Sequence, residues 1–187
     1  MDIYKFLTGN EFIYSWPEVI GAVVIIILAI AFSAYLYKKR KIKGSQAAAI
    51  IIFAVFMTAI FILTVFGRVV GVRRYQLRFL WSYERIFAGS KEMLREVILN
   101  ILMLVPAGAL LPAIFNKKQP WYIGLLLGFT ASASIELLQL ATCTGLFEFD
   151  DIFHNSLGCM LGCVFGSTFC KAHQERGKNG KIISKGD

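Results

Sequence analysis

A short run near the carboxyl-terminal end of the chain, GLFEFDDIFHNSLG from Gly145 to Gly158, gathers residue types that can do chemistry. Asp150 and Asp151 stand at the start of an apolar run, and His154 and Asn155 follow about one helical turn later. Paired carboxylates can serve as general acid and base on a sugar or phosphate headgroup, or can bind a hard divalent cation through oxygen. Bare carboxylates are costly in apolar surroundings, so this pair needs partners or a function.

Two upstream segments also carry polar side chains at helical spacing. Glu136 continues a series of small residues four apart, Gln139 follows it by about one turn, and Glu96 and Asn100 show the same interval. Small residues spaced in this way let a neighbouring helix approach closely, so the polar groups beside them should face protein and not lipid. The two small-residue stripes are Gly124, Gly128 and Ser132, and Gly158, Gly162 and Gly166.

Membrane-spanning helices are the elements that would position these side chains. The chain of 187 residues is 57% hydrophobic and 17% charged, with a mean hydropathy of +0.62. This composition is far from that of ordinary soluble proteins. Five segments are long and apolar enough to span a bilayer, which predicts an all-α polytopic bundle in a single membrane domain. They are residues 17–37, 45–66, 97–115, 120–141 and 151–170. Pro106 and Pro112 should kink the third span, because each removes a backbone donor.

Three of these spans would bring their polar residues to one end of the bundle. We therefore expect a polar cavity there, because intramembrane ionisable groups are usually functional. The candidate catalytic acids, bases or ligands are Glu136, Asp150 and Asp151, and the candidate binding residues on the helices are Asn100, Gln139, His154 and Asn155. A plainer reading stays open: Asp150 only caps its helix, Asn155 and Gln139 only join helices, and His154 is a neutral, hydrogen-bonded imidazole.

Basic residues in the connections predict the orientation. They occur in KKRKIK after the first span, in NKKQ after the third and in the tail of residues 171–187. The positive-inside rule makes this end cytoplasmic, which places the amino terminus and the polar cavity outside and the carboxyl terminus inside. The tail reads as a disordered cytosolic segment near anionic lipid. The net charge of +8 then indicates a membrane surface and no nucleic-acid partner.

The outer loop of residues 67–96 is unusually cationic for its predicted side. Arg73, Arg74 and Arg78 are candidate binding residues in it, and aromatic residues are interspersed among them. These arginines could contact lipid phosphates while the aromatic residues form an interfacial belt. They could instead form an anion-binding lid, because guanidinium groups bind phosphates and carboxylates bidentately. A cytoplasmic loop is a third possibility, and it would need an odd number of preceding spans.

Three motifs, taken in order, resemble the VanZ-like family of small bacterial membrane proteins, named for a member linked to teicoplanin resistance. They are LNILMLVPAGALLP from Leu99 to Pro112, SIELLQL from Ser134 to Leu140, and GLFEFDDIFHNSLGCMLG from Gly145 to Gly162. The resemblance covers roughly the carboxyl-terminal half of the chain. It implies a multi-pass protein of the bacterial plasma membrane and cell envelope, with an antibiotic-resistance type of function at the outer leaflet. Its signature positions here are Asn100, Pro106, Gly108, Glu136, Gln139, Asp150, Asp151, Asn155 and Gly158.

Three classes of function fit these features. The first is a non-enzymatic envelope protein that contacts membrane lipids and binds a lipid-linked cell-wall precursor or a lipoglycopeptide. The second is a membrane enzyme that uses clustered carboxylates on a lipid-linked sugar or phosphate headgroup, with a divalent cation as a possible cofactor. The third is a transporter or scaffold, for which the sequence offers no inverted repeat. The sequence also lacks a glycine-rich phosphate loop, a zinc-helix motif and a serine elbow.

Overall fold

The computed structural model describes residues 16–66 and 70–183, with side chains described through residue 170 except that of Phe66. It is an all-α membrane bundle, as predicted, with one small two-stranded sheet. The helices are α1 (Trp16–Lys38), α2 (Gly44–Phe61), α3 (Trp81–Phe87), α4 (Lys91–Met103), α5 (Val105–Phe115), α6 (Trp121–Thr142) and α7 (Phe149–Ile183). A π-helical turn, Ile62–Phe66, extends α2, and the strands are β1 (Arg74–Gln76) and β2 (Leu146–Glu148).

Helix length and composition agree with a membrane protein. Within the described residues, four helical segments are long and apolar enough to cross a bilayer: Trp16–Lys38, Gly44–Val65, Lys91–Phe115 and Trp121–Thr142. The fifth expected span, 151–170, falls within α7, which is not among those four, and its crossing of the membrane stays a prediction.

The third span is interrupted, as its prolines predicted. The helix breaks at Leu104 (φ −100°, ψ 3°), and Pro106 stands in the first turn of α5, where its missing N–H costs least. Pro112 lies inside α5 without ending it. The span also begins earlier than expected, at Lys91, because the Ser90 hydroxyl caps the helix by accepting the N–H of Met93 at 3.3 Å.

Helix α7 is the packing centre of the bundle, with α4 and α5 on one side and α6 on the other. A Cβ atom at Gly158 would overlap the carbonyl oxygen of Ile101, and one at Gly162 would overlap that of Val105. On the facing helix, a Cβ at Gly128 would lie 2.7 Å from that of Cys159. The glycine spacing therefore brings backbones into direct contact, which confirms the packing stripes read from the sequence.

The two ends of the bundle differ in character. The Gln46 amide donates to the Ile114 carbonyl at 2.8 Å, and the Gln119 N–H donates to the Ser167 hydroxyl at 3.1 Å. These contacts bring the basic α1–α2 and α5–α6 connections and the end of the α7 segment 149–170 together at one end, called here the basic end. At the other end, the site end, α2 finishes, α6 finishes and α7 begins. The side of the membrane that each end faces stays a prediction.

Two boundaries differ from the sequence interpretation. Helix α7 continues to Ile183, whereas we expected disorder after Cys170; Ala172, Gln174 and Glu175 are good helix formers that favour continuation. The expected outer loop is shortened to residues 70–90, the arginine segment, because α4 takes 91–96. Residues 67–69 of that loop and 184–187 of the tail lie outside the described residues, as do residues 1–15.

Candidate functional site

Asp150 fastens the arginine segment to the start of α7. Its carboxylate accepts the backbone N–H of Ser82 at 2.9 Å, and it also accepts the Ser82 hydroxyl and the N–H of Leu80. These donors belong to the first turn of α3, where Leu80 has the left-handed φ of 62° that non-glycine residues adopt at a cost. Asp150 is 1% exposed, so it acts as a buried cap for a helix other than its own.

A short parallel sheet makes the second attachment of the arginine segment. Strands β1 and β2 pair with Arg74 opposite Leu146 and Gln76 opposite Glu148. The Arg73 Nε donates to the Leu140 carbonyl at 3.2 Å, near the end of α6, and the Gly71 N–H donates to the Cys143 carbonyl at 2.7 Å. The predicted binding arginines are thus held at the site end.

The three arginines of the prediction differ in what they contact. Arg78 forms an exposed ion pair with Glu84, and Arg73 is engaged with Leu140, although both side chains are largely in solvent. Arg74 is exposed on β1, and its backbone is fixed by the strand pairing. Of the three, Arg74 is therefore the guanidinium best placed to meet an anion.

Asn100 and Asp151, predicted from separate helices, are in direct contact. The Asn100 Nδ2 donates to the Asp151 Oδ1 at 2.6 Å, which joins α4 to α7. On the other side of α7, the Asn155 Nδ2 donates to the Ser132 Oγ at 2.8 Å, which joins α7 to α6. Asn155 and Ser132 are almost fully buried, whereas Asp151 is only half-buried.

Glu136 reaches the α6–α7 connection. Its Oε2 accepts the backbone N–H of Glu148 at 2.9 Å, and its side chain is 2% exposed. This bond fixes the position of Glu148 on β2, so Glu136 positions a second carboxylate. Glu148 was not among the residues chosen from the sequence. The available signal was a lone carboxylate between Phe147 and Phe149, two residues before Asp150.

Gln139 and His154 lie at the same end of the bundle, but they contact elements outside the acid cluster. The Gln139 Nε2 donates to the Thr64 carbonyl at 2.8 Å, which supplies a donor to the π-helical turn at the end of α2. The His154 Nε2 lies 3.1 Å from the Tyr83 hydroxyl of α3, and the histidine is fully buried. Gln139 thus connects α6 with the end of α2, and His154 connects α7 with α3.

Five carboxylates form what we call the acid cluster: Glu96, Glu136, Glu148, Asp150 and Asp151. Glu148 is the member of the cluster with the raised pKa. Burial raises the pKa of its carboxyl to about 8, and the charges of Asp151, Glu96 and Asp150 add to the increase. A carboxyl with that pKa holds its proton at neutral pH and can donate a hydrogen bond. Glu148 differs in this respect from an ionised carboxylate, which can only accept hydrogen bonds.

Glu96 connects this cluster with a surface cavity. A depression of about 310 Å³ lies along the first turns of α4, and its lining includes Glu96, Glu92, Arg95 and Lys91. The lining of this cavity therefore carries charges of both signs, next to the acid cluster.

Several polar atoms of the site are buried without a hydrogen-bond partner among the described residues, and they include Glu148 Oε1, His154 Nδ1 and Asn155 Oδ1. Such atoms are uncommon in folded proteins, where ordered water often supplies the missing partner. Within the part of the chain whose side chains are described, no group of three or more His, Cys, Asp or Glu residues has the arrangement of a metal site.

Glu148 should make stability depend on pH. Its folded-state pKa of about 8 exceeds the ordinary value of 4.5, so the native protein binds the proton more tightly than the unfolded chain does. The free energy of unfolding should therefore fall as the pH rises from 4.5 to about 8, and then level off. We expect the melting temperature of purified protein to follow this slope, and Glu148→Gln to flatten it. An equal slope in Glu148→Gln, or flattening by the exposed-acid control Glu92→Gln, would contradict the assignment.

The chain also matches one family of known proteins. A family model described as VanZ/LLP1 matches residues 20–170, which is most of the chain and extends well upstream of the motifs. No match was found among curated proteins, and none among solved structures.

Proposed function

The chain belongs to the VanZ/LLP1 family, and we propose that it binds the headgroup of a lipid-linked cell-wall precursor or a lipoglycopeptide at the outer leaflet of the bacterial plasma membrane. The observation that carries the proposal is the pairing of β1 with β2, which sets Arg74 on the strand next to the one that bears Glu148. Cationic and carboxyl groups therefore share one surface at one end of the bundle.

The chemistry of such a headgroup fits both halves of this surface. Phosphates and carboxylates bind guanidinium groups, and Arg74 is exposed on a fixed strand. Sugar hydroxyls and amide groups accept and donate hydrogen bonds, which the protonated Glu148 and the half-buried Asp151 can complement. A ligand that has only the anionic groups, or only the hydrogen-bonding groups, should bind with lower affinity.

The remaining predicted residues position this surface instead of touching the ligand. Asp150 holds α3 and the arginine segment, Glu136 holds β2, and Gln139 holds the end of α2. Asn100 orients Asp151 through its amide. This division of roles leaves Arg74, Glu148 and Asp151 as the side chains that we propose to contact the headgroup.

Charge reversal at Arg74 tests the proposal. We expect Arg74→Glu to weaken binding of a lipid-linked cell-wall precursor by at least about tenfold, since one charge-assisted contact contributes about 1.5–3 kcal/mol. The affinity is measured with purified protein in nanodiscs of neutral lipid, so that bulk membrane charge does not attract the ligand.

The matched control is Lys117→Glu. It changes the net charge equally, but Lys117 is exposed at the basic end. The control should leave the affinity within about twofold of wild type, because the two ends are separated by more than a screening length of about 10 Å. Equal losses in the two variants, or none in Arg74→Glu, would overturn the proposed contact.

A further inference from the structure

A groove of about 530 Å³ separates α1 from α2 at one end of this hairpin. Its walls are apolar apart from Glu18 and Thr58, and Gly21 and Ala22 form its floor on the α1 side. Its volume lies within the range of about 300–1,000 Å³ that ligand pockets occupy.

The hairpin is closed at its connection and open at its other end. Ser33, near the connection, is fully buried, and the helix that α1 mainly contacts is α2. At Gly21, three turns or so earlier, an added Cβ would meet no atom within 4 Å. The groove is therefore a consequence of helices that diverge, with small residues where a larger side chain could have filled the gap.

The open end of the groove is the site end of the bundle. Phe61 and Ile62 line the groove, and Thr64, in the same π-helical turn, accepts the Gln139 amide. Gln139 is one turn of α6 from the connection that carries Glu148. The open end of the groove therefore lies next to the elements that carry the headgroup surface, and the rest of the groove extends away from that surface.

The length and the lining of the groove suit a hydrocarbon chain. The groove runs from Pro17 to Ile25 along α1, which is about 12 Å by helix rise and close to the depth of one leaflet. Apart from Glu18 and Thr58, its lining is apolar and offers no polar partner, which suits a chain of methylene groups.

We propose that the groove binds the hydrocarbon chain of the same lipid whose headgroup contacts Arg74, Glu148 and Asp151. This inference rests on the proposed function and adds the lipid anchor to it. Since bilayer tails surround the protein, the groove gains selectivity from packing and from its position beneath the headgroup surface, and hydrophobic transfer adds little. The structure thus assigns a two-part site, with a charged upper part and an apolar lower part.

The probe is dodecyl phosphate with a diazirine at the end of its chain, added to wild-type protein in phosphatidylcholine nanodiscs. After illumination, labelled residues are located by mass spectrometry. We expect labels on Ala54 and Met57, which lie toward the closed end of the groove. Gly21→Phe, which fills the groove, should lower this labelling at least about fivefold. A fivefold change corresponds to about 1 kcal/mol of lost packing.

Val24→Phe is the matched control, because it adds the same side chain to the same helix at a position that is 47% exposed and outside the groove. It should keep wild-type labelling, and both variants should keep the wild-type melting temperature. Labels spread evenly over lipid-facing residues, or labelling that Gly21→Phe does not change, would overturn the groove assignment. Crosslinks between two copies of the chain through α1 would overturn it as well.

The labelling experiment and the affinity of Arg74→Glu together distinguish this inference from the proposed function. If the groove is labelled but Arg74→Glu leaves the affinity for dodecyl phosphate unchanged, the groove assignment stands and the headgroup contact fails. If Arg74→Glu weakens binding but labels are not confined to the groove, the headgroup contact stands and the groove assignment fails.

Discussion

Gly158→Leu should abolish the folded protein. A Cβ at this position would overlap the carbonyl oxygen of Ile101, and backbone cannot move aside as a flexible side chain can. Helices α4 and α7 would have to separate, which would also break the contact between Asn100 and Asp151. We expect a loss of at least about 3 kcal/mol in the free energy of unfolding, the upper end of the usual cost of overpacking. Yield of monodisperse protein and its melting temperature are the measurements.

Gly21→Leu is the control for this experiment. It adds the same side chain to a helical glycine of the same protein, but nothing lies within 4 Å of the added Cβ. It should leave yield and melting temperature close to wild type, and Gly158→Ala should lie between the two. A Gly158→Leu protein with normal stability would mean that α4 and α7 do not pack through this glycine.

Asp150→Ala should release the arginine segment while the bundle stays folded. The substitution leaves three donors of Leu80 and Ser82 without their acceptor, and the left-handed Leu80 loses the bond that holds it. Each hydrogen bond to a charged group contributes about 1.5–3 kcal/mol. Local opening should therefore increase at least about tenfold, and trypsin should cleave after Arg74 and Arg78 faster by the same factor.

The basic α1–α2 connection gives an internal standard for this cleavage. Its rate at Lys39 and Lys41 should not change, because Asp150 lies at the other end of the bundle. Glu92→Ala, which removes an exposed acid from α4, should leave both rates alone. If trypsin cleaves the arginine segment of Asp150→Ala at the wild-type rate, Asp150 does not hold that segment. The prediction that Asp150 is a catalytic acid would then be favoured.

The bundle could be predicted from the sequence because its determinants are local. Long apolar runs and Pro106 act within a few residues, so they predicted the helices and the break in the third span. The glycines of α7 contact distant residues, but their regular spacing is visible in the sequence and predicted the close packing. The helical spacing also indicated that Asn100 and Asp151 lie at the same depth, but their direct contact is seen only in the structure.

The role of Asp150 could not be predicted in the same way. The donors that it accepts belong to residues about seventy positions earlier in the chain, in a helix of only seven residues. No periodicity indicates such a short helix or its cap. Glu148 was missed because its importance comes from the charges of Asp151, Glu96 and Asp150 around it, and those distances depend on the tertiary fold.

An extracellular headgroup can reach the site end only if that end faces the outside of the cell. Arg74→Cys and Lys117→Cys, each made in protein with Ser at positions 143 and 170, place a reactive thiol at the site end and the basic end. The two native cysteines that remain, Cys159 and Cys163, are fully buried. A membrane-impermeant maleimide should label Arg74→Cys in intact cells and Lys117→Cys only after the membrane is permeabilised. Labelling in the reverse pattern would put the acid cluster and Arg74 in the cytoplasm and contradict the account.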